Sequence, residues 1–195
     1  MRAQPGIACK VAAGSLGARF RRDARDFPPH RGYLTLDPQK VEAWRSRLTS
    51  QGRLRAGLAW KGGVQRTGRS RRSIPWAQLE PLLALPHIDW ISLQHEDDST
   101  DPRIRRFPEA MRDLDDLASL VGALDLVVSV CNTNVHVAGA LGREVLVMAP
   151  FVPEWRYGLK SERMVWYPSA CVFRQARYGA WDEVIDRARK ALTGG

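Results

Sequence analysis

The sequence predicts an α/β protein built on a doubly wound parallel sheet of the Rossmann-like type, and three observations support this prediction. Apolar, strand-like runs alternate with helix-like segments along the 195-residue chain. The run 126–130 is apolar on both faces, as is typical of a parallel strand covered by helices on each side. The hydrophobic content of 44% is enough to bury a substantial core. Ligands of such sheets bind beyond the carboxyl ends of the strands, where the strand order reverses.

Two segments of the chain differ in composition. Residues 1–36 show no sustained period and carry much Pro, Gly and Arg, which predicts an irregular lead-in, with a truncated remnant as one interpretation. Residues 37–195 carry the alternating pattern and form the predicted domain. At its start, Asp37 followed by Pro38 predicts an N-capped helix over 38–50.

The first half of this domain places a basic loop between two strands. A strand is predicted over 54–60, followed by an arginine-rich loop. A helix starts around Pro75, and Pro81 is expected to shorten or break it. A second strand, 88–94, precedes a charged connection over 96–113.

The second half continues the alternation to the end of the chain. Asp115 or Asp116 is expected to cap a helix that runs through Leu124. A proline and aromatic segment over 151–168 precedes the last strand. The remaining predicted elements are, in order, a strand over 125–131, a helix over 135–142, a strand over 144–149, a strand over 170–173 and a helix over 181–192.

Composition narrows the classes of partner. The net charge of +9 comes almost wholly from arginine and favours anionic partners. Nucleic acid is disfavoured, because the chain has no zinc or leucine-zipper spacing and no aromatic and basic interleaving of an RNA-reading type. Cys9, Cys131 and Cys171 form no CxxC pair and are interpreted as reduced thiols, which predicts a cytoplasmic protein. No apolar run approaches the roughly 20 residues of a membrane span.

Polar side chains follow the buried strand 125–131 where a helix begins. Asn132, Thr133 and Asn134 are placed to cap this helix or to hydrogen-bond a phosphate or ribose, and the two roles are compatible. His136 falls in the first helical turn, where it either faces a ligand or is a satisfied core histidine. The sequence therefore predicts an anion site at this strand end.

A second group of candidates follows the first strand. Lys61, Gly62 and Gly63 either bring an ammonium and backbone N–H groups to a diphosphate or simply form a turn. Arg72 lies beside a helix start and is placed to pair with phosphate bidentately, whereas its neighbours in the loop are expected to be solvated. Gln94 ends the second strand, and we expect it to line the same rim as Arg72.

Other candidate residues are weighed against simpler roles. Trp155, Arg156 and Tyr157 follow the strand 144–149 and are either a cover for a sugar or base or a packing plug. Cys131 has no histidine and acid paired with it in the local sequence, so it is not predicted to be a nucleophile. Asp115 and Asp116 are adjacent at a helix start and do not converge, so no chemistry is assigned to them.

The candidates lie in sequence blocks that resemble the carboxyl-terminal half of glycosyltransferases associated with tetratricopeptide repeats. That group is related to the heptosyltransferases of glycosyltransferase family nine and to O-linked N-acetylglucosamine transferases. The resemblance covers about residues 27–192, and the ordered spacing is more specific than any one block. The blocks are GLAWKGG at 57–63, RSIP at 72–75, SLQ at 92–94, LDLVVSV at 124–130, HVAGALGREVLVMAP at 136–150, PEWRYG at 153–158, WYPS at 166–169 and FRQ at 173–175.

The resemblance implies the carboxyl-terminal domain of a GT-B fold, which in the family holds a nucleotide-diphosphate sugar as the donor. It implies no metal and no other cofactor. By position, Lys61 and Arg72 resemble the contacts to the donor diphosphate, and Gln94 resembles a nucleotide-side contact. The loop 131–136 resembles an Asp-Thr loop that ends in histidine, with the Cys-Asn pair at 131–132 standing in place of the usual acidic residue and threonine.

In the family, an amino-terminal domain supplies the acceptor site and a general base, and helical repeats are attached. This chain resembles neither part, so a separate amino-terminal or repeat domain is an expected partner, and the catalytic base is expected there. The sequence therefore predicts the donor-binding domain of a bacterial sugar transferase. A non-catalytic interaction module derived from such a transferase is the alternative, and a basic nucleic-acid-binding domain is the weaker third hypothesis.

Overall fold

The computed structural model describes residues 9–97 and 99–194 of the chain. The first eight residues of the predicted lead-in, one residue of the predicted charged connection (98) and the last residue of the predicted domain (195) lie outside this part. The strands are β1 (Leu54–Ala59), β2 (Ile88–Ser92), β3 (Ile104–Arg105), β4 (Leu126–Val130), β5 (Glu144–Ala149), β6 (Arg163–Met164) and β7 (Tyr167–Arg174). The α-helices are α1 (Leu16–Phe20), α2 (Pro38–Arg47), α3 (Glu80–Leu83), α4 (Leu114–Ala123), α5 (Thr133–Ala140) and α6 (Trp181–Thr193).

The strands form one sheet in the order β3-β2-β1-β4-β5-β7-β6. Neighbouring strands are parallel except for β6, which runs antiparallel to β7. The order reverses between β1 and β4, which are paired with Gly57 opposite Val127. The loops that leave the carboxyl ends of β1 and β4 therefore lie side by side.

Helices cover both faces of the sheet. On one face Val127, Val145 and Val147 pack in a buried cluster with residues of α2, α4 and α5. On the other face the intervening residues, Val128 and Met148 among them, pack with α3 and α6. Because alternate residues of β4 and β5 serve opposite faces, both strands are predominantly apolar, with Ser129 in β4 and the exposed Glu144 at the start of β5 as the polar residues. The predicted α/β fold with a mostly parallel, doubly covered sheet is confirmed, and it is consistent with a Rossmann-like fold.

Several helix boundaries differ from the prediction. Asp37 accepts the N–H of Gln39 at 2.8 Å as the expected cap, but α2 ends at Arg47. Asp113, and not Asp115 or Asp116, caps α4 by accepting the N–H of Asp116 at 2.9 Å. The prediction failed here because all three carboxylates lie within four residues, and the cap is decided by the extended backbone of the residue before the first turn.

Pro81 lies inside a helix, so the predicted break is not found, whereas the four-residue length of α3 agrees with the alternative of a short helix. A 3₁₀ turn, Trp76–Leu79, leads into α3, and Pro81 is the second residue of α3. A proline is tolerated there because the first N–H groups of a helix have no intrahelical acceptor. The charged connection 96–113 also contains β3 and the 3₁₀ turn Pro108–Met111. Both are too short for a periodic signal.

Two other elements begin earlier than expected, and one strand is additional. α5 begins at Thr133 and not at 135, because Asn132 caps it. β7 begins at Tyr167 and not at 170, and β6 is an additional antiparallel strand beside it. The predicted strand 144–149 agrees with β5, and the predicted helix 181–192 agrees with α6 to within one residue.

The end of the lead-in lies against α5 and its neighbours. The N–H groups of Tyr33 and Leu34 donate to the carbonyl of Ala140 at 2.7 and 3.0 Å. The Tyr33 ring stacks on Tyr167 with centroids 6.5 Å apart. Leu36 fills the space over Gly122, where a Cβ would come within 2.3 Å of its side chain. Residues before the domain therefore pack against α4, the end of α5 and the start of β7.

Candidate ligand-binding site

A cleft of about 460 Å³ opens where the strand order reverses, between the loops after β1 and β4 and the segment after β5. Most of the residues that the sequence put forward as a site meet here. The residues that line the cleft are Gly63, Arg72, Cys131, Asn132, Thr133, His136, Glu154, Trp155, Arg156, Tyr157, Trp166 and Tyr167. Proteins of this fold class bind their ligands at the carboxyl ends of the parallel strands, which is where this cleft lies.

Asn132 joins the two loops that form the floor of the cleft. Its side-chain oxygen accepts the N–H of Asn134 and the hydroxyl of Ser129, each at 2.9 Å, so it caps α5. Its side-chain nitrogen donates to the carbonyl of Lys61 at 3.3 Å. The capping role is therefore present, and the same amide fixes the loop after β1 against α5. Thr133 is exposed at the first position of this helix.

Four predicted site residues, Lys61, Gly62, Gln94 and Asn134, do not line the cleft. Lys61, Gln94 and Asn134 line an adjoining cavity of about 330 Å³, which shares Gly63, Asn132 and Thr133 with the cleft. Gln94 is buried and accepts the N–H of Lys61 at 2.9 Å. Asn134 is buried and donates to the carbonyl of Leu93 at 2.9 Å. The polar atoms of Gln94 and Asn134 that make these bonds hold neighbouring loops together.

The two glycines after β1 permit close approach. A Cβ at Gly62 would come within 2.9 Å of the carbonyl oxygen of Cys131, and its N–H faces the hydroxyl of Ser73 at 3.3 Å. Gly63 has a φ of +72°, and a Cβ there would lie 1.7 Å from the guanidinium of Arg72. A turn is therefore present, and it leaves room for that guanidinium beside the cleft.

Arg72 ends the 3₁₀ turn Arg69–Arg72 with a side chain that is only 14% exposed. Its Nη1 donates to the carboxylate of Glu154, and its Nη2 donates to the hydroxyl of Thr67 at 2.6 Å. Within the described part of the chain, Arg72 Nε and Glu154 Oε2 are buried without a hydrogen-bond partner. Sequence reasoning missed Glu154, because its partner lies 82 residues earlier in the chain.

His136 lies in α5 between two tyrosines. Its Nδ1 is 3.2 Å from the hydroxyl of Tyr167, and its Nε2 is 3.5 Å from the hydroxyl of Tyr157. Burial, and then the positive charge of Arg156, lower the pKa of His136. The imidazole is therefore neutral at pH 7, with one ring nitrogen able to donate and the other to accept. Sequence reasoning named Tyr157 only as part of the aromatic loop after β5, and it did not find Tyr167.

Aromatic rings form the outer wall of the cleft. Trp155 is 72% exposed, and its ring meets Trp166 edge to face at 5.8 Å. The guanidinium of Arg156 lies 5.3 Å from the centre of the Trp155 ring. Tyr157, in contrast, is buried. The packing-plug alternative therefore describes Tyr157, whereas Trp155 and Arg156 remain accessible at the rim.

Cys131 lies at the bottom of the cleft and is almost completely buried. Burial raises the pKa of its thiol to about 12, with smaller opposing contributions from Tyr157 and Arg72. A thiol of this kind is protonated at neutral pH and is a poor nucleophile. This geometry agrees with the absence of a nucleophilic role in the sequence interpretation.

A larger cavity of about 1030 Å³ lies on the other side of Lys61. Its walls include Trp60 and Trp76, whose rings meet edge to face at 4.8 Å, and the segment 99–102. No spacing pattern in the sequence identified it, because its walls come from three separate segments.

The described residues contain neither a metal-binding cluster nor a membrane-spanning helix. Between residues 9 and 194, excluding 98, no group of three or more His, Cys, Asp or Glu side chains is placed to hold a metal ion. Over the same residues, no helix has both the length and the apolar character needed to cross a membrane.

The chain is similar to the protein FlbA of Caulobacter vibrioides, with 30% identity over 194 residues. The similarity covers 93% of this chain and 32% of FlbA, so the chain spans about a third of the length of that relative. No family model and no solved structure matches the chain. The similarity to FlbA therefore relates the chain to one part of a longer bacterial protein.

Proposed function

We propose that this chain is the donor-binding domain of a metal-independent GT-B glycosyltransferase, and that it binds a nucleotide-diphosphate sugar in the cleft. The observation that supports this most directly is the convergence of Arg72 and Arg156 with Asn132, Thr133 and His136 where the strand order reverses. These residues come from three separate loops.

The cleft suits a diphosphate for electrostatic reasons. Two guanidinium groups border it, and the N-terminus of α5, eight residues long, opens onto it through Thr133. Helix N-termini and arginine both favour phosphate oxygens. In a sugar transfer the departing nucleoside diphosphate gains negative charge, and fixed positive groups can stabilise it without a metal ion. Arg72 and Arg156 would serve this purpose.

The aromatic wall suits the less charged part of the donor. Trp155 and Trp166 offer ring faces or edges to a sugar or base, and the neutral imidazole of His136 can accept or donate a hydrogen bond. The proposal assigns no general base to this chain. We expect a separate amino-terminal or repeat domain to supply the base and the acceptor site, and we place the reaction in the cytoplasm.

Calorimetric titration with a panel of nucleotide-diphosphate sugars tests the proposal. We expect at least one donor to bind, and Arg72→Ala to weaken its binding by about 1–3 kcal/mol, or roughly five- to 150-fold. Arg71→Ala is the matched control, because Arg71 is the exposed neighbour in the same turn and does not line the cleft. Absence of binding by any donor would overturn the proposal.

A non-catalytic interaction module is the second candidate, and one observation favours it. Glu154 already pairs with Arg72, and the bonds of Gln94 and Asn134 described above lie within the chain. This candidate predicts a folded domain that binds a partner chain and no donor. A basic nucleic-acid binder predicts instead an affinity that falls steeply with salt and is unaffected by nucleoside diphosphates.

A further inference from the structure

We propose that Glu154 competes with the ligand phosphate for Arg72, so that a diphosphate binds by displacing this carboxylate from the guanidinium. The inference rests on the proposed function, since it assumes that Arg72 is a phosphate contact. It adds a reason why the cleft should prefer a diphosphate over a singly phosphorylated or carboxylate ligand.

The competition follows from the position of the two groups. Both Arg72 and Glu154 line the cleft, with side chains that are 14% and 31% exposed. Nη1 of Arg72 donates to Glu154, and Nη2 donates to Thr67. A phosphate oxygen and a carboxylate oxygen seek the same geometry at a guanidinium. A ligand that approaches Arg72 from the cleft therefore meets Glu154 first.

The pair is also incompletely satisfied. Arg72 Nε and Glu154 Oε2 are buried, and no other described residue forms a hydrogen bond with either. A buried ion pair is favourable only where its remaining donors and acceptors are also bonded. A diphosphate carries more oxygens than a carboxylate and can reach further donors in the cleft. Exchange of Glu154 for the ligand can then satisfy Nε and release Oε2 to water.

The segment that carries Glu154 has room to release it. Glu154 precedes the 3₁₀ turn Trp155–Tyr157, and Phe151 and Val152 before it are exposed. The segment is held at its ends, where the N–H of Phe151 donates to the side chain of Gln175 at 3.0 Å and Tyr157 is buried. Rotation of the Glu154 side chain can therefore free Arg72 without loss of these anchors.

The competition implies selectivity for highly charged ligands. To bind, a ligand must replace the electrostatic attraction that is lost when Glu154 separates from Arg72. Inorganic phosphate can take the place of the carboxylate on Arg72 but spans little of the cleft. Pyrophosphate can contact Arg72 and also reach the Thr133 end of α5 or Arg156. Glu154 should therefore weaken the binding of both anions, and pyrophosphate should still bind more tightly.

Titration with inorganic pyrophosphate and inorganic phosphate tests the inference without knowledge of the sugar or base. We expect Glu154→Gln to tighten pyrophosphate about tenfold, since it removes one charge-assisted hydrogen bond to Arg72. Glu80→Gln is the matched control. Glu80 lies in α3, outside the cleft, and pairs with Arg103, so this substitution removes the same charge from a different ion pair. It should change the affinity for pyrophosphate by less than about twofold.

A double variant tests directly whether Glu154 acts through Arg72. In an Arg72→Ala background, Glu154→Gln is expected to change pyrophosphate affinity by less than about twofold, because the shared partner has been removed. If Glu154→Gln is misfolded by circular dichroism, Glu154→Asp replaces it. Asp keeps the negative charge, but its shorter side chain moves the carboxylate away from Arg72. Glu154→Asp should therefore also increase the affinity for pyrophosphate.

The outcomes separate this inference from the proposed function. If nucleotide sugars bind the wild-type chain but neither substitution at position 154 tightens pyrophosphate, the competition is refuted and the donor site stands. If pyrophosphate binds more tightly to Glu154→Gln and no nucleotide sugar binds, the competition stands and the donor assignment fails. If pyrophosphate binds neither the wild-type chain nor the variants, the competition is refuted whatever the sugar panel shows.

Discussion

The carbonyl oxygen of Arg31 lies directly against Gly142, in the turn that follows α5. A Cβ on Gly142 would lie 1.8 Å from that oxygen, and Gly142 has a φ of +70°. Two separate constraints therefore exclude other residues here, namely the left-handed backbone and the close passage of the lead-in.

Gly142→Ala is expected to lower the free energy of unfolding by more than about 2 kcal/mol, since it adds a backbone clash to the left-handed strain. Gly179→Ala is the control, because Gly179 has a φ of +82° with no atom within 4 Å of a Cβ. We expect Gly179→Ala to lower the free energy of unfolding by about 1–2 kcal/mol. Urea unfolding followed by circular dichroism measures both, and equal losses would show that the Arg31 contact is unimportant.

Asp125 links β4 to β1 through Arg55. Its carboxylate accepts the backbone N–H and the guanidinium of Arg55 at 2.8 to 3.1 Å. Burial acts to raise the pKa of Asp125, but the hydrogen bonds from Arg55 outweigh it and hold the pKa below its usual range. The ionised form is thus favoured in the folded state. This contribution is present above the unfolded pKa and is lost as pH falls through the folded one.

Asp125→Asn is therefore expected to cost about 1–2 kcal/mol at pH 7, and the cost should shrink as pH falls below the unfolded pKa of about 3.9. Urea unfolding at pH 7, 5 and 3 measures the difference from wild type. Asp182→Asn, at an exposed position in the first turn of α6, is the control for a lost carboxylate. A cost for Asp125→Asn that is the same at pH 7 and pH 3 would contradict the assignment.

The pKa of His136 should respond to Arg156. Burial is the larger cause of its lowered pKa, and the charge of Arg156 is the smaller. Arg156→Ala is therefore expected to raise the pKa part of the way towards 6.5, as followed by NMR titration of the imidazole. Arg71→Ala should leave it unchanged. A full return to 6.5 would show that burial is not the main cause.

The same lowered pKa has a consequence for stability. The unfolded chain binds a proton at His136 more readily than the folded chain does, so this residue should make folding less stable as pH falls below about 6.5. Wild-type stability at pH 7.5 and 5.5, compared with that of His136→Gln, measures the effect. The variant should lose less stability between the two pH values.

Asn134 and Thr133 are adjacent, but the structure gives them different roles. Asn134→Ala is expected to cost about 1–3 kcal/mol of stability, because it leaves the buried carbonyl of Leu93 without its donor. Thr133→Ala should leave stability within about 0.5 kcal/mol, because Thr133 is exposed. It should instead weaken donor binding. The opposite pattern would show that Asn134 is the ligand contact.

The fold was largely predictable because its central strands carry a strong signal. β4 and β5 are buried along almost their whole length, and predominantly apolar runs identify such strands without knowledge of their neighbours. β3 and β6 have two residues each and carry no periodic pattern, so they become strands only when the sheet places a partner beside them. The cap of α4 likewise depends on the backbone angles of Asp113, which composition does not determine.

The site was predictable where residues follow a strand end and not where distant segments meet. The sequence put forward Asn132, Thr133 and His136 because they directly follow β4. Glu154 and Tyr167 have no such signal, since their roles depend on contacts with Arg72 and His136 across the fold. Gln94 was expected to end the second strand, but β2 ends at Ser92, and the amide of Gln94 beyond it binds the backbone of Lys61.

The packing of residues 27–36 on the sheet changes where this domain can be cut. Phe27 meets Trp166 edge to face at 4.8 Å, and His30 Nε2 lies 3.0 Å from the carbonyl of Trp166. A shortened protein that begins at Asp37 would lose these contacts and expose the Tyr167 side of the cleft. One that begins just before Phe27 is longer but keeps the wall intact, and is therefore the unit to choose for crystallisation or binding work.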